Sequence, residues 1–301
     1  MGQSQRSLGD LPAGLVPTVT AQDLRTDDLR VTLRGYQAFA ARFALVQRRV
    51  VIGDEMGLGK TIEALAVIAH LWSTGAERFL VICPASVVTN WVREVTAKST
   101  VPVHRVHGPD ADEAFEAWRR DGGVAVISFA SLGWREGDFA RIEALDCVVV
   151  DEAHFVKNPG TWRARATLAQ VQNAERALLL TGTPMENRVD EFRTLLGYLR
   201  PDLVADTADL APWPFRQRVA PAYLRRNVED VLTELPELVE TDEWLEMSDA
   251  DRAAYEAAVR DGNFAAMRRA ALLQGTGSTK VERLVELVEE AEENGRRVVV
   301  F

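Results

Sequence analysis

Residues 50–61 read Val-Val-Ile-Gly-Asp-Glu-Met-Gly-Leu-Gly-Lys-Thr, and that order leaves few folds open. Three β-branched residues run into a glycine-punctuated loop, which ends in Lys60-Thr61 where a helical pattern begins. Strand, glycine loop, Gly-Lys-Thr and helix are what a polyphosphate needs. Glycines let the backbone close around phosphate oxygens, so that several N–H groups point inward together. The helix behind adds its free first amides and the positive end of its dipole. In this reading Asp54, Gly57, Leu58 and Gly59 belong to the cradle, Lys60 reaches the β- and γ-phosphates, and the Thr61 hydroxyl ligates Mg²⁺. One position departs from the strict pattern: glycine is wanted six residues before the lysine, and Asp54 stands there.

The flanking sequence supplies a sheet for this loop. Ile62, Leu65, Ala66 and Ala69 recur at helical spacing, and Gly75 is a suitable stop. Residues 79–83 form a buried-strand run ending at Pro84, after which Ser86 can cap a helix with Val88, Trp91, Val92 and Val95 on its apolar face. Short apolar runs follow at 101–106 and 124–128, separated by a helical stretch at 112–120. Residues 147–150 lead into Asp151-Glu152-Ala153-His154, and residues 177–180 into Thr181-Gly182-Thr183. Apolar runs alternating with helical patterns describe an α/β fold, a parallel sheet flanked by crossover helices. Ligands of such sheets bind beyond the carboxyl ends of the strands, where every polar motif here falls.

Nucleoside triphosphate hydrolysis also needs a held Mg²⁺ and a group to orient the attacking water. Asp151 can hold Mg²⁺ and Glu152 can activate the water, both at a strand end facing Lys60 and Thr61. Gln37, at the start of a helical stretch, is either a solvated residue or an amide that reads adenine. Cys83 and Cys147 lie within β-branched runs and read as buried inert thiols. His104 and His107 have no companion ligands, which argues against zinc. The net charge of −10 excludes a simple basic nucleic-acid coat, though not a local grip on phosphates. Residues 64–72 are the longest apolar run, broken by His70 and far short of the ~20 residues that span a bilayer. With no signal-peptide pattern at residues 1–15, a cytoplasmic protein without a membrane partner is expected.

Beyond residue 180 the character changes. Residues 191–199 read as a helix ended by Pro201, and residues 202–221 as irregular. A basic cluster (Arg216, Arg218, Arg225, Arg226) precedes ten acids and no base between Glu229 and Asp251, either a solvated face or a dock for a protein partner. Residues 250–273 and 281–288 read as helices around a flexible break at 274–278, and residues 297–301 as a strand.

Residues 54–61, the DEAH of 151–154 with Val156-Lys157-Asn158, and residues 179–187 resemble the Swi/Snf-type ATPases of helicase superfamily two. Residues 33–37 and 224–231 share the resemblance, which runs in consistent order over ~31–301. It implies a RecA-like lobe of a motor that hydrolyses ATP with Mg²⁺, translocates along double-stranded DNA without separating it, and remodels protein–DNA complexes. By position, Gln37 recognises adenine, and Gly57, Gly59, Lys60 and Thr61 bind phosphates and Mg²⁺. Asp151 and Glu152 do the metal and water work, while His154, Thr181, Gly182 and Thr183 couple nucleotide state to DNA grip. Pro84, Ser86, Ser128 and Ser131 look like backbone-phosphate contacts, so recognition is largely sequence-independent. A bacterial member would work at the nucleoid and a eukaryotic one in the nucleus.

The resemblance also implies four parts. Residues 1–30 are a loose leader or docking segment, 31–200 the ATP-binding lobe, 201–280 an irregular and helical extension, and 281–301 a linker helix with the opening strand of a second lobe. Met185-Glu186 departs mildly from the family, and the region after Pro201 is short for its helical protrusions. A second lobe would bring an arginine finger, worth ~10³–10⁵ in rate in related phosphoryl-transfer systems, so weak hydrolysis is expected without it. Two other readings are a non-catalytic nucleotide-gated module docking through 229–251, and a small-molecule kinase, for which no acceptor pocket is marked.

Overall fold

The computed structural model describes residues 11–12, 14–182, 189–205, 207, 210–231, 242–270, 272, 275–293 and 298–300. Seven strands form one sheet: β1 (Arg49–Ile52), β2 (Arg78–Cys83), β3 (Val103–Arg105), β4 (Gly123–Ser128), β5 (Leu145–Val150), β6 (Ala174–Leu180) and β7 (Tyr223–Leu224). Their order is β3-β4-β2-β5-β6-β1-β7, and every pairing is parallel. Parallel neighbours need crossovers, and helices supply them: Lys60–Ser73 leads from β1 to β2, Val88–Lys98 from β2 to β3, and Trp162–Asn173 from β5 to β6.

Alternation along the strands sends side chains into two cores. Val51, Leu80, Ile82, Val148, Val150, Ala177 and Leu179 pack on one face. Val50, Ile52, Val81, Cys83, Val149, Leu178 and Leu180 pack on the other, against the helices Gly35–Gln47 and Lys60–Ser73. Both faces are covered, which is why these strands read as unbroken apolar runs rather than as alternation. The register brings Val150 opposite Leu179 and Ile52 opposite Leu180. Consequently β5, β6 and β1 end level, and the residues after them share one edge.

Several expectations change. Residues 14–30 fold onto the lobe: a helix covers Leu15–Ala21 with Val19 fully buried, and Leu29 bridges to Ser99. Pro201 opens a further helical turn (Pro201–Val204), and Pro212 begins the helix Pro212–Val219. Proline suits a first helical turn, where its missing N–H has no partner to lose. β7 follows and adds to the edge of the sheet beside β1, so the lobe does not finish at residue 200. Compactness divides the chain at 235/236. In the second unit, Asp249–Arg260 and Phe264–Arg269 are separate helices broken at Gly262, and Thr279–Glu293 is a third. Residues 298–300 make no strand pairing. A strand exists only through a partner, and none lies beside them among the described residues.

Candidate nucleotide site

The loop between β1 and the helix Lys60–Ser73 has the shape its glycines require. Gly57 and Gly59 lie at φ +92° and +90°, a region costly for side chains with a Cβ. A Cβ on Gly59 would also come within 2.7 Å of Gln37 Nε2. Leu58 between them is fully buried, and its carbonyl accepts from the Tyr36 hydroxyl (2.9 Å) and from Gln37 Nε2 (3.0 Å). Gln37 Oε1 accepts from the Arg34 amide at 3.0 Å. The solvated alternative for Gln37 therefore fails: its amide ties the helix Gly35–Gln47 to the loop. One N–H and one lone pair are left for a base.

Lys60 Nζ donates to the carbonyls of Asp54 (2.6 Å) and Glu55 (3.4 Å). Burial lowers its pKa, against the opposing pull of the Asp54, Glu63, Glu152 and Asp151 carboxylates. Lys60 thus lies within electrostatic reach of the acidic pair, as the topology requires, because β6 alone separates β1 from β5. Two strand spacings are ~10 Å. Gly182 fills the space between, and a Cβ there would lie 3.8 Å from Lys60 Nζ and 3.0 Å from the Met56 side chain. The buried Thr181 donates its amide to the Ile52 carbonyl (3.1 Å). Thr183 lies outside the described residues.

Asp151 is held by its neighbours: Oδ2 accepts from Trp91 Nε1 at 2.7 Å and Oδ1 from the Glu152 amide at 2.9 Å. Glu152 sits at φ +51°, a left-handed conformation rare for a side-chain-bearing residue and frequent at functional sites. His154 Nδ1 lies 3.2 Å from Glu152 Oε2. The His154 ring packs on Phe155 (centroids 4.8 Å apart), and Phe155 stacks on Phe129 at 5.7 Å and 9°. For Mg²⁺ the donor set is suitable. Thr61 has a hydroxyl without a partner among the described residues, and the Asp151 carboxylate keeps free lone pairs, both hard oxygen ligands.

The remaining expected residues divide. Pro84 and the exposed Ser86 follow β2 at the same edge. Ser86 does not cap the next helix, because it lies inside the 3₁₀ turn Ala85–Val87 and Val87 takes the capping position. Ser128 and Ser131 are buried, and their hydroxyls bond each other at 2.9 Å. Ser128 Oγ also accepts from the Ser131 amide (3.1 Å), and Ser131 Oγ meets His107 Nδ1 (2.9 Å). Ser128 is engaged in capping its helix and Ser131 in bonds to Ser128 and His107, so as free phosphate contacts they are corrected. Asp54 is corrected too. Its carboxylate is fully buried against Arg226 and cannot face a nucleotide.

Sequence reasoning missed Trp91, Glu63 and Arg226. Its place in the sequence groups Arg226 with a basic cluster, yet its side chain is wholly buried between Asp54 and Glu63. Burial disfavours its charge, but those two carboxylates outweigh burial and raise its pKa. Burial and the charge of Asp54 push the Glu63 carboxyl well above the usual range. A signal existed: a carboxylate in place of the expected glycine, inside an apolar setting, demands a cation from elsewhere in the chain.

A parallel sheet whose β1 ends in this loop beside an acidic strand end is a RecA-like P-loop fold. Two solved structures share it: a Sulfolobus solfataricus SWI2/SNF2 ATPase core in complex with dsDNA (24% identity, TM-score 0.62, covering 90% of this chain and 67% of that one), and the SWI2/SNF2 ATPase core domain of the same organism (22%, TM-score 0.59, covering 95% and 68%). The description "SNF2-related domain" matches residues 36–294, and the chain belongs to that family. It is similar to the chromodomain-helicase-DNA-binding protein 9 of Mus musculus, at 30% identity over 288 residues, 86% of this chain and 10% of the relative. It also resembles the "SWI/SNF-related matrix-associated actin-dependent regulator of chromatin subfamily A containing DEAD/H box 1A" of Danio rerio, at 30% over 258 residues, 74% of this chain and 26% of the relative. The chain thus spans a tenth to about a quarter of these relatives. No helix of the described residues is long and apolar enough to cross a membrane.

Proposed function

We propose that this chain is the ATP-binding lobe of a DNA-dependent ATPase that tracks along double-stranded DNA and remodels protein–DNA complexes. The observation that carries this reading is the meeting of the Lys60 ammonium, Gly182 and the Asp151–Glu152 carboxylates at one sheet edge. The loop amides and Lys60 bind the β- and γ-phosphates, releasing Lys60 from the Asp54 and Glu55 carbonyls. Thr61 and Asp151 hold Mg²⁺, which when bound neutralises phosphate charge. Trp91 fixes the Asp151 carboxylate, and Gln37 has one donor and one acceptor left for the adenine edge. Glu152 takes a proton from the attacking water as its oxygen bonds to the γ-phosphorus and the bond to the β-bridging oxygen breaks, giving ADP and phosphate. His154, Thr181, Gly182 and Thr183 sense the nucleotide. The dsDNA complex of a relative with this fold supports a duplex partner, met at the edge that carries Pro84 and Ser86.

Equilibrium binding of ATP–Mg²⁺, and ATP turnover with and without plain duplex DNA, test the reading. The parent should bind ATP and turn it over. Glu152→Gln should keep binding and abolish turnover. Absence of ATP binding refutes the proposal, and an unaltered Glu152→Gln phenotype favours a nucleotide-gated protein-binding module, with 229–251 as its dock.

A further inference from the structure

Asp54, where the strict loop pattern has glycine, is anchored from a segment 172 residues away in the chain. Arg226 donates its backbone amide to Asp54 Oδ1 (3.0 Å) and Nε to both carboxylate oxygens (3.2 and 3.0 Å), while Nη2 forms an ion pair with Oδ2. The same Nη2 reaches Glu63 Oε1 on the helix behind the loop (2.8 Å). Nη1 donates to the Tyr36 carbonyl (2.5 Å), and the guanidinium lies over the Tyr36 ring, 5.2 Å from its centroid. Tyr36 in turn donates to the loop's Leu58 carbonyl. One guanidinium thus touches the rising arm of the loop at Asp54, the helix that follows it at Glu63 and the segment that carries Gln37 at Tyr36, whose hydroxyl reaches the other arm.

The backbone on either side of Arg226 continues the attachment. Gly53 N donates to Leu224 O (2.8 Å), Glu55 N to Arg226 O (3.0 Å), and Val228 N to Glu55 Oε2 (2.7 Å). Arg225 Nη1 donates to the Gly53 carbonyl at 2.8 Å. Every residue from Gly53 to Glu55 is therefore bonded to the strap at 224–228. Two of them, Asp54 and Glu55, hold Lys60 through their carbonyls, and the Asp54 carboxylate at the same time accepts from Arg226.

We infer that Arg226 is a positioning residue of the nucleotide site: together with β7 it fixes the rising arm of the phosphate loop, taking over a role that loop residues fill alone in the strict pattern. The inference rests on the nucleotide reading above. A buried guanidinium with two carboxylates adds little net stability over apolar or neutral groups of similar shape, but orients what it touches. Its contribution should therefore show in loop order and ligand affinity more than in folding. A planar fork bonded on three sides also has no substitute in an ammonium.

Three variants of the full chain test this: Arg226→Lys, Arg226→Met, and the neutral triple Asp54→Asn, Glu63→Gln, Arg226→Met. The last keeps the test decisive if the single methionine variant fails to fold around two uncompensated carboxylates. In the nucleotide-free proteins, hydrogen exchange at residues 53–59 should quicken at least tenfold in the lysine and triple variants, with the β2 and β5 amides unchanged. ATP–Mg²⁺ affinity should fall at least fivefold in both, while the triple variant melts within a few degrees of the parent. Parent-like exchange at 53–59, or parent-like affinity in the triple variant, overturns the role of Arg226 and leaves the nucleotide reading standing. A parent that fails to bind ATP removes both.

Discussion

The Lys60 ammonium lies 2.6 Å from the Asp54 carbonyl, so the loop's own oxygen satisfies the group assigned to a phosphate. Phosphate binding exchanges this neutral acceptor for a charged one, and bonds to charged groups are worth about 1.5–3 kcal/mol. Lys60→Ala should therefore weaken ATP binding by roughly 10–150-fold. Stability should change little or rise, because burial already opposes the charge on Lys60. Calorimetric titration with ATP–Mg²⁺ measures the first effect and thermal unfolding the second. Parent-like affinity would mean that phosphates bind elsewhere.

Trp91 holds Asp151 from behind. Its indole N–H donates to Oδ2, and its ring is buried in the core on the face that carries Val149. Trp91→Phe keeps most of the apolar body and removes the donor. Losing an outer partner of a metal ligand typically costs 10–100-fold in metal affinity. The Mg²⁺ concentration that half-saturates ATP hydrolysis or ATP binding should rise by about that factor, with metal-free nucleotide binding unaltered. An unchanged Mg²⁺ titration would remove Asp151 from the metal site.

How much of this was legible follows from the range of each signal. The loop at 53–61 and the acidic pair at 151–152 announce themselves because their chemistry is local: glycines, a lysine and carboxylates placed directly after apolar runs. Strands buried on both faces show as unbroken β-branched stretches, which made β1, β2, β4, β5 and β6 readable. β7 has two residues, too short for any periodicity, and becomes a strand only because β1 offers an open edge. Ser128 illustrates the opposite failure. A serine at a strand end can meet a phosphate or cap its own helix, and only the fold shows that the Ser131 amide has taken it. Sequence proximity groups Arg226 with Arg225 in one basic cluster but says nothing about side-chain direction in extended backbone, where neighbours point opposite ways.

His70 makes the attachment of residues 14–30 pH-dependent. Its Nδ1 accepts the Arg25 amide at 3.0 Å, which requires a neutral ring. Burial lowers its pKa below the ordinary value near 6.5; nearby Asp23 opposes this, and Arg25 and Arg176 reinforce it. A depressed histidine contributes stability that is complete above ~6.5 and is lost as pH falls through the lower folded value. Hydrogen exchange corrected for intrinsic rates should show residues 15–29 opening more readily at pH 5 than at pH 7.5. His70→Phe should remove that difference. A difference that survives in the variant would assign the effect to another group.

Both thiols should be silent in the folded protein. Cys83 and Cys147 are fully buried, and burial raises their pKa values, that of Cys147 to about 12. Thiolate is the reactive form, so labelling by a disulfide reagent at pH 8 should run at least about 10³-fold slower than in denaturant. Both should then react together on unfolding, since β2 and β5 are adjacent strands of one sheet. Rapid labelling of one cysteine in the native protein would show that its strand opens locally.

The rings behind the acidic pair offer a physical route for the coupling proposed for His154. Glu152 Oε2 lies 3.2 Å from His154 Nδ1, the His154 ring packs on Phe155, and Phe155 stacks on Phe129, the residue after Ser128. A change at Glu152 can thus reach the end of β4 through His154, Phe155 and Phe129. Phe155→Leu keeps apolar bulk and removes the stack. Under the proposed function, the factor by which duplex DNA alters the ATP dissociation constant is the coupling between the two sites, and the same factor links DNA affinity to ATP. Residues along such a route modulate coupling by ~0.5–2 kcal/mol, so the factor should shrink by about 2–30-fold in the variant. ATP affinity without DNA should stay within about twofold of the parent, because the ring partners of Phe155 among the described residues (Phe129, His154 and Arg163) lie outside the phosphate loop. Titrating ATP at saturating and zero DNA, and DNA at saturating and zero ATP, measures the factor twice. An undiminished factor in Phe155→Leu would show that coupling bypasses these rings.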